Sequence, residues 1–232
     1  MKISKNILVF PIALTVLTVL HIFLFLSGTA ESQESATPAR GVFLVASRQI
    51  NDPVFMESVV LLLSSDENGA MGLIINKPSD RSISSVFPEM KKTDSKKDRL
   101  YFGGPVSINQ LIVLLRSKEA VKDTTRILEG IAVSADRTVL LDALKKKKAG
   151  SDFRLYAGYA GWVTGQLEWE IKRGDWFLIA ADAATVFNED ESKVWPLLIR
   201  KSQEIMVQAP AGIRDETIVY VPSTLLYASG LR

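Results

Sequence analysis

The chain contains no cysteine, and its single histidine, His21, falls within the first 40 of its 232 residues. Residues 41–232 therefore carry neither thiol nor imidazole. That excludes disulfides, a thiolate nucleophile, Ser-His-Asp or Cys-His catalysis within one chain, and most zinc or iron–sulfur sites. Charge of one sign is lacking too. The formal net charge is +2, from 28 basic and 26 acidic residues, and setting aside Lys2, Lys5, Arg40, Glu31 and Glu34 leaves 25 against 24. A near-neutral domain offers no concentrated positive face to a phosphate backbone, and no helix-turn-helix signature is visible. Nucleic acid is not expected as a partner, and with no Asp-x-Asp cluster present neither a metal nor another cofactor is expected.

What is present begins with one long apolar run. Residues 7–26 carry no formal charge, enough length to cross a bilayer as a helix and more than an ordinary signal core needs. Gly28-Thr29-Ala30 then supplies a small-x-small pattern that a signal peptidase can use. Residues 1–30 thus read as a signal peptide or a membrane anchor, 31–40 as a flexible polar linker and 41–232 as one domain. Lys2 and Lys5 hold the amino terminus in the cytoplasm, so the domain is expected on the outer, periplasmic side of the cytoplasmic membrane. Cleavage near Ala30 would make it periplasmic or secreted instead.

Within the domain, apolar runs predict strands over 42–46, 59–63, 71–75, 100–102, 111–115, 130–134 and 217–221. Asn51-Asp52-Pro53 marks a turn, and residues 64–69 carry hairpin chemistry. A helical turn is expected within 84–90, and residues 91–99 form a charged loop. An amphipathic helix is expected over 136–148, with Val139, Leu140, Ala143 and Leu144 on one face and a lysine run at the negative end of its dipole. A last helix spans 192–205, with Pro196 in its first turn. Strands interspersed with short helices, without strict alternation, indicate an α+β domain.

Residues 155–176 pack four glycines and three tryptophans into 22 positions. The glycines, at 158, 161, 165 and 174, match neither a dinucleotide turn nor a phosphate cradle. They read instead as turns and as places where large side chains approach the main chain. Residues 153–156 have strand character, and 166–173 form a short helix closed by Gly174, with Leu167 and Ile171 facing the core. Trp162, Trp169 and Trp176 read as core or rim residues rather than a ligand-stacking cage. Gln166 and Glu170, one helical turn apart, can line a polar pocket.

The order of these segments resembles the AlgH/YqgE-like family, also called UPF0301 or DUF179. The likeness rests on residues 42–47 with Asp52-Pro53-Val54-Phe55; residues 69–78; Gly103-Gly104-Pro105-Val106; Gly158-Tyr159-Ala160-Gly161-Trp162 with residues 165–168; and Trp176 ahead of Ala181-Asp182, Phe187 and Trp195. The resemblance implies a single domain of coiled, branching sheets with short flanking helices. It implies little about activity, although the family label suggests a transcriptional regulator. Where many relatives have a histidine after the Gly-Gly-Pro-Val segment, this chain has Leu115 and Arg116.

Three functional classes follow. The first is a non-catalytic binding or regulatory module for an unidentified protein or small-molecule ligand, with candidate residues Asn76, Lys77, Pro78, Gly103, Gly104, Gly161, Trp162, Gln166 and Glu170. The alternative in which these motifs only hold the fold together stays open. The second is a hydrolase that uses carboxylates, Glu168 or Glu170 with Asp175 or Asp182, with or without a hard divalent cation. The third is the transcriptional role of the family label, which the charge balance opposes.

Overall fold

The computed structural model describes residues 38–87, 99–146, 149, 152–188 and 190–208. The apolar leader, most of the linker and the strand expected over 217–221 lie outside these residues. Among the described residues no helix is long and apolar enough to cross a membrane.

Aliphatic density builds the centre. β1 (Val42–Ala46) is buried at all five positions and is paired on both sides, antiparallel to β2 (Val59–Asp66) and to β9 (Trp176–Ala180). A two-residue turn joins β2 to β3 (Gly69–Ile74), where Asn68 N donates to Asp66 Oδ1 at 2.7 Å. Beyond β3 the order continues through β8 (Phe153–Val163), β5 (Val106–Ser117) and β7 (Gly130–Ser134) to β6 (Thr125–Leu128) at the far edge. β4 (Leu100–Phe102) pairs with β8 beside this path and in parallel, whereas the other pairings are antiparallel. The result is a mixed, open, sheet-rich α+β domain.

The central sheet divides the interior by side-chain alternation. On β5, Ile112 and Leu114 face one apolar cluster while Val113 and Leu115 face the other; on β8, Tyr156 and its neighbours Phe153 and Leu155 part in the same way. The larger cluster is covered by α3 (Gln166–Lys172) and by α5 (Val194–Gln208), which follows a 3₁₀ turn at Glu191–Lys193. The smaller is covered by α1 (Ile83–Val86) and α2 (Arg137–Lys146), whose Val139, Leu140, Ala143 and Leu144 make the expected stripe. Asp136 caps α2, its Oδ1 accepting from Thr138 N at 2.7 Å and Val139 N at 3.2 Å.

Four elements differ from the sequence expectation. β8 does not stop near Tyr156 but runs 11 residues through the glycines to Val163. β6 and β9 form where no strand was expected, β6 because its alternation is short and polar, β9 because it follows directly on the glycine stretch. An unexpected helix, α4 (Ala183–Val186), is a single turn capped by Asp182.

Candidate functional site

The connection between β1 and β2, residues 51–57, is exposed except for the half-buried Val54 and Phe55. Its own chemistry starts to fix it. Asp52 Oδ1 accepts from Val54 N at 2.7 Å and Phe55 N at 3.3 Å, and Asp52 O accepts from Met56 N at 2.7 Å. Ser58 N donates to Phe55 O at 3.0 Å, with Glu57 at a positive φ of 55° between them. Because Ser58 N is so engaged, Ala46 O is left free in the β1–β2 ladder. It accepts instead from the indole of Trp195 on α5, at 2.8 Å.

Two groups of side chains grip this loop. After β3, Asn76 bridges its base: Oδ1 accepts from Val59 N at 2.8 Å, and Nδ2 donates to Glu57 O at 2.9 Å. Lys77 Nζ donates to Val54 O at 2.7 Å and Pro53 O at 3.3 Å. Burial holds the Lys77 ammonium below the usual lysine range, against the opposing pull of the Asp52 and Glu57 carboxylates. From β8, α3 and β9 comes an aromatic seat. The Phe55 ring packs 6.2 Å from Trp162 and 5.7 Å, edge-on, from Trp176; the two indoles stand edge-to-face at 6.0 Å.

One carboxylate organises that seat. Glu170 Oε2 accepts from Trp162 Nε1 and from Trp176 Nε1, both at 2.8 Å, and Glu170 Oε1 accepts from Gln166 Nε2 at 2.9 Å. Gln166 Oε1 in turn accepts from Val163 N at 3.2 Å, binding the end of β8 to the start of α3. The buried indoles, 6% and 2% exposed, would otherwise leave N–H groups unpaired. Glu170 and Gln166 are therefore committed to the protein itself.

The expected site residues separate into sets. Asn76, Lys77, Trp162, Gln166 and Glu170 converge on the 51–57 loop, directly or through Phe55. Pro78 turns away and bridges to Tyr101. Gly103 and Gly104 press on β8: a Cβ at 103 would lie 2.2 Å from Gly158 O, and one at 104, where φ is 150°, 2.2 Å from Tyr159 C. Gly161 is exposed on the outer face beside the Tyr159 ring. Trp169 is a rim residue, 59% exposed, with the Arg173 guanidinium 4.0 Å over its ring. Two of the other acids suggested for hydrolysis have local tasks, Asp175 pairing with Arg173 and Asp182 capping α4 through Thr185 N at 2.7 Å. Among the described residues, no three acidic or histidine side chains converge as a metal site would need.

The sequence reading missed Phe55 and Trp176 as parts of this arrangement, although both stand in the motifs quoted above. It also missed Arg154, 2% exposed on β8, which donates to Ile75 O at 3.3 Å and to Asn188 O and pairs with Glu191 at 3.3 Å. Tyr101 donates its hydroxyl to the same Glu191 oxygen. Burial pushes the Tyr156 hydroxyl up to about 12; the nearby Arg154 guanidinium opposes this, yet the hydroxyl has no partner in hydrogen-bond geometry. A lone arginine inside an apolar strand was the available signal. Near the end of β5, the Arg116 guanidinium lies 4.7 Å over the Phe187 ring.

A family model described as DUF179, AlgH-like, matches residues 43–206. The chain belongs to the AlgH-like family. Among its relatives, a UPF0301 protein of Methylococcus capsulatus is 37% identical over 168 residues, 71% of this chain and 92% of the relative. A UPF0301 protein of Chlamydia pneumoniae is 34% identical over 161 residues, covering 69% and 85%. The solution structure of the AlgH protein from Pseudomonas aeruginosa superposes with a TM-score of 0.57 at 30% identity, covering 73% of this chain and 94% of that one. A crystal structure of a Corynebacterium diphtheriae protein gives 0.62 at 28% identity, covering 73% and 90%. Both clamps on the 51–57 loop lie within the AlgH-like match.

Proposed function

We propose that this AlgH-like protein is a non-catalytic binding module whose recognition surface is the 51–57 loop, displayed outward from the cytoplasmic membrane. The observation that supports this is the convergence of two independent clamps on one exposed loop. Asn76 and Lys77 hold its backbone while the Glu170-bridged indoles hold Phe55, so Met56 is presented at 46% exposure from a fixed main chain. A preformed loop spares a partner the entropy of ordering it, and methionine adapts its shape to apolar surfaces. The favoured ligand is therefore a protein or peptide with an apolar contact patch.

Strand direction separates the loop from the point where the chain enters the domain. The chain enters β1 at Gly41, where Ala181 N donates to Gly41 O, and reaches the loop past Ser47, where Ser47 N donates to Asp175 O. The loop is thus at the opposite end of β1 from the linker, about 17 Å away at the usual rise per residue.

The absence of cysteine makes the test clean. In spheroplasts, Met56→Cys is treated with a membrane-impermeant maleimide carrying a photoreactive group, with Lys122→Cys as a remote exposed control. The expected result is labelling of both and a discrete cross-linked adduct from position 56 alone, lost when Asn76→Ala is added. No labelling overturns the outward display, and adducts that are absent or identical at both positions overturn the loop as the recognition surface.

A further inference from the structure

We infer that Met56 is a reversible oxidation site, where a hydroperoxide converts the thioether of the exposed loop to a sulfoxide and thiol-dependent reduction restores it. Its effect on recognition rests on the loop reading above: the apolar tip becomes polar while the loop keeps its shape.

Composition and access direct the oxidant. The chain has no thiol to react first, so its sulfur lies in five methionines. Of those whose side chains are described, Met56 is 46% exposed, whereas Met71 is half-buried on β3 and packs against the larger apolar cluster. Of the indoles, Trp162, Trp176 and Trp195 are buried, and the exposed Trp169 has the Arg173 guanidinium stacked over its ring. Oxidation follows exposure, which favours position 56.

The loop geometry separates this chemistry from the fold. Met56 N donates to Asp52 O at 2.7 Å, Phe55 before it packs against the two indoles, and Glu57 O after it accepts from Asn76 Nδ2 at 2.9 Å. These holds act on the main chain and on Phe55, so an oxygen added to the Met56 sulfur leaves them in place. The same oxygen on Met71 would set a polar group against the core and cost stability.

In the forward step the sulfur lone pair attacks the terminal oxygen of the hydroperoxide. An S–O bond forms as the O–O bond breaks, the hydroperoxide proton passes to the departing oxygen, and an alcohol, or water from hydrogen peroxide, leaves. Sulfur is oxidised and the peroxide reduced. In the return step a pair of thiols takes the oxygen off as water and becomes a disulfide, as in the sulfoxide reductases. The sulfoxide is polar and chiral where the thioether was flexible and apolar, which opposes contact with an apolar patch.

The site is tested on the full chain in detergent micelles, titrated with hydrogen peroxide and mapped by peptide mass spectrometry. The expected result is sulfoxide at Met56 about tenfold faster than at Met71, an unchanged urea-unfolding midpoint while Met56 alone is oxidised, and reversal by a methionine sulfoxide reductase with dithiothreitol. Equal rates at the two methionines, or a fall in that midpoint, would overturn it. The effect on recognition is read in spheroplasts with the photoreactive maleimide moved to Asn51→Cys, with and without Met56→Gln, whose polar side chain stands in for the sulfoxide. The expected result is an adduct that falls about tenfold with Met56→Gln while labelling is unchanged. Equal adducts from both chains would overturn the switch and leave the loop reading standing. No adduct from either chain would overturn the loop reading and the switch together, with the rates at Met56 still deciding the site.

Discussion

Glu170 shows how much one side chain can hold. Its carboxylate receives two indole N–H groups and the Gln166 amide, so removing it leaves two buried donors without acceptors. Glu170→Ala is expected to cost about 3 kcal/mol in urea unfolding, whereas Glu170→Gln, which keeps one acceptor oxygen for both indoles, should cost about 1 kcal/mol. Gln166→Ala should fall below that, because its side chain is exposed. Tyr156 makes the opposite point, since its hydroxyl is buried at 0% exposure without a partner. Its folded-state pKa of about 12 lies above the ordinary 10.0, so the folded protein keeps a proton that the unfolded chain releases. Stability from this group is fully present below pH 10 and is lost as pH rises toward 12, by up to about 3 kcal/mol. Tyr156→Phe should flatten the decline of the unfolding midpoint over that window without lowering stability at neutral pH.

At the scale of elements, the glycines of the family motifs do different things. Gly104 lies against the main chain of β8, where an added methyl would meet Tyr159 C and Ala160 N at 2.2 and 2.3 Å. Gly165 opens α3 at a φ of 75° with nothing within 4 Å of such a methyl. Gly104→Ala should therefore destabilise by at least about 3 kcal/mol, and Gly165→Ala by only about 1 kcal/mol, the backbone cost of a left-handed residue. Thermal melts of the two variants distinguish packing from conformation. Local pattern was legible wherever a single element carried its own signal: the α2 stripe, a hairpin within 64–69 and the closure of α3 by Gly174, at a φ of 84°, all read directly from the chain. What the sequence did not disclose depends on partners brought together by the sheet. Glu170 meets an indole on each of two strands, and Arg154 finds Glu191 37 residues away. No spacing rule announces such pairs.

For the whole molecule, the two ends of the sheet have separate roles. One end receives the linker at Gly41; the other carries the loop, α3 and the aromatic seat. The fold class was legible because short helices are scattered among dense apolar runs. The place of the loop was not, because it follows from β1 lying between β2 and β9 rather than from any residue in the loop. The composition closes some options before folding begins: without thiol or imidazole beyond residue 40, catalysis through either group is excluded within one chain.

The edge-to-face indoles joined through one oxygen atom also give the molecule an optical signature of its own. Paired chromophores 6.0 Å apart couple their transitions, so near-ultraviolet circular dichroism and intrinsic emission will register any disturbance of Phe55 or its loop. A ligand docking there can be titrated without a dye or a tag.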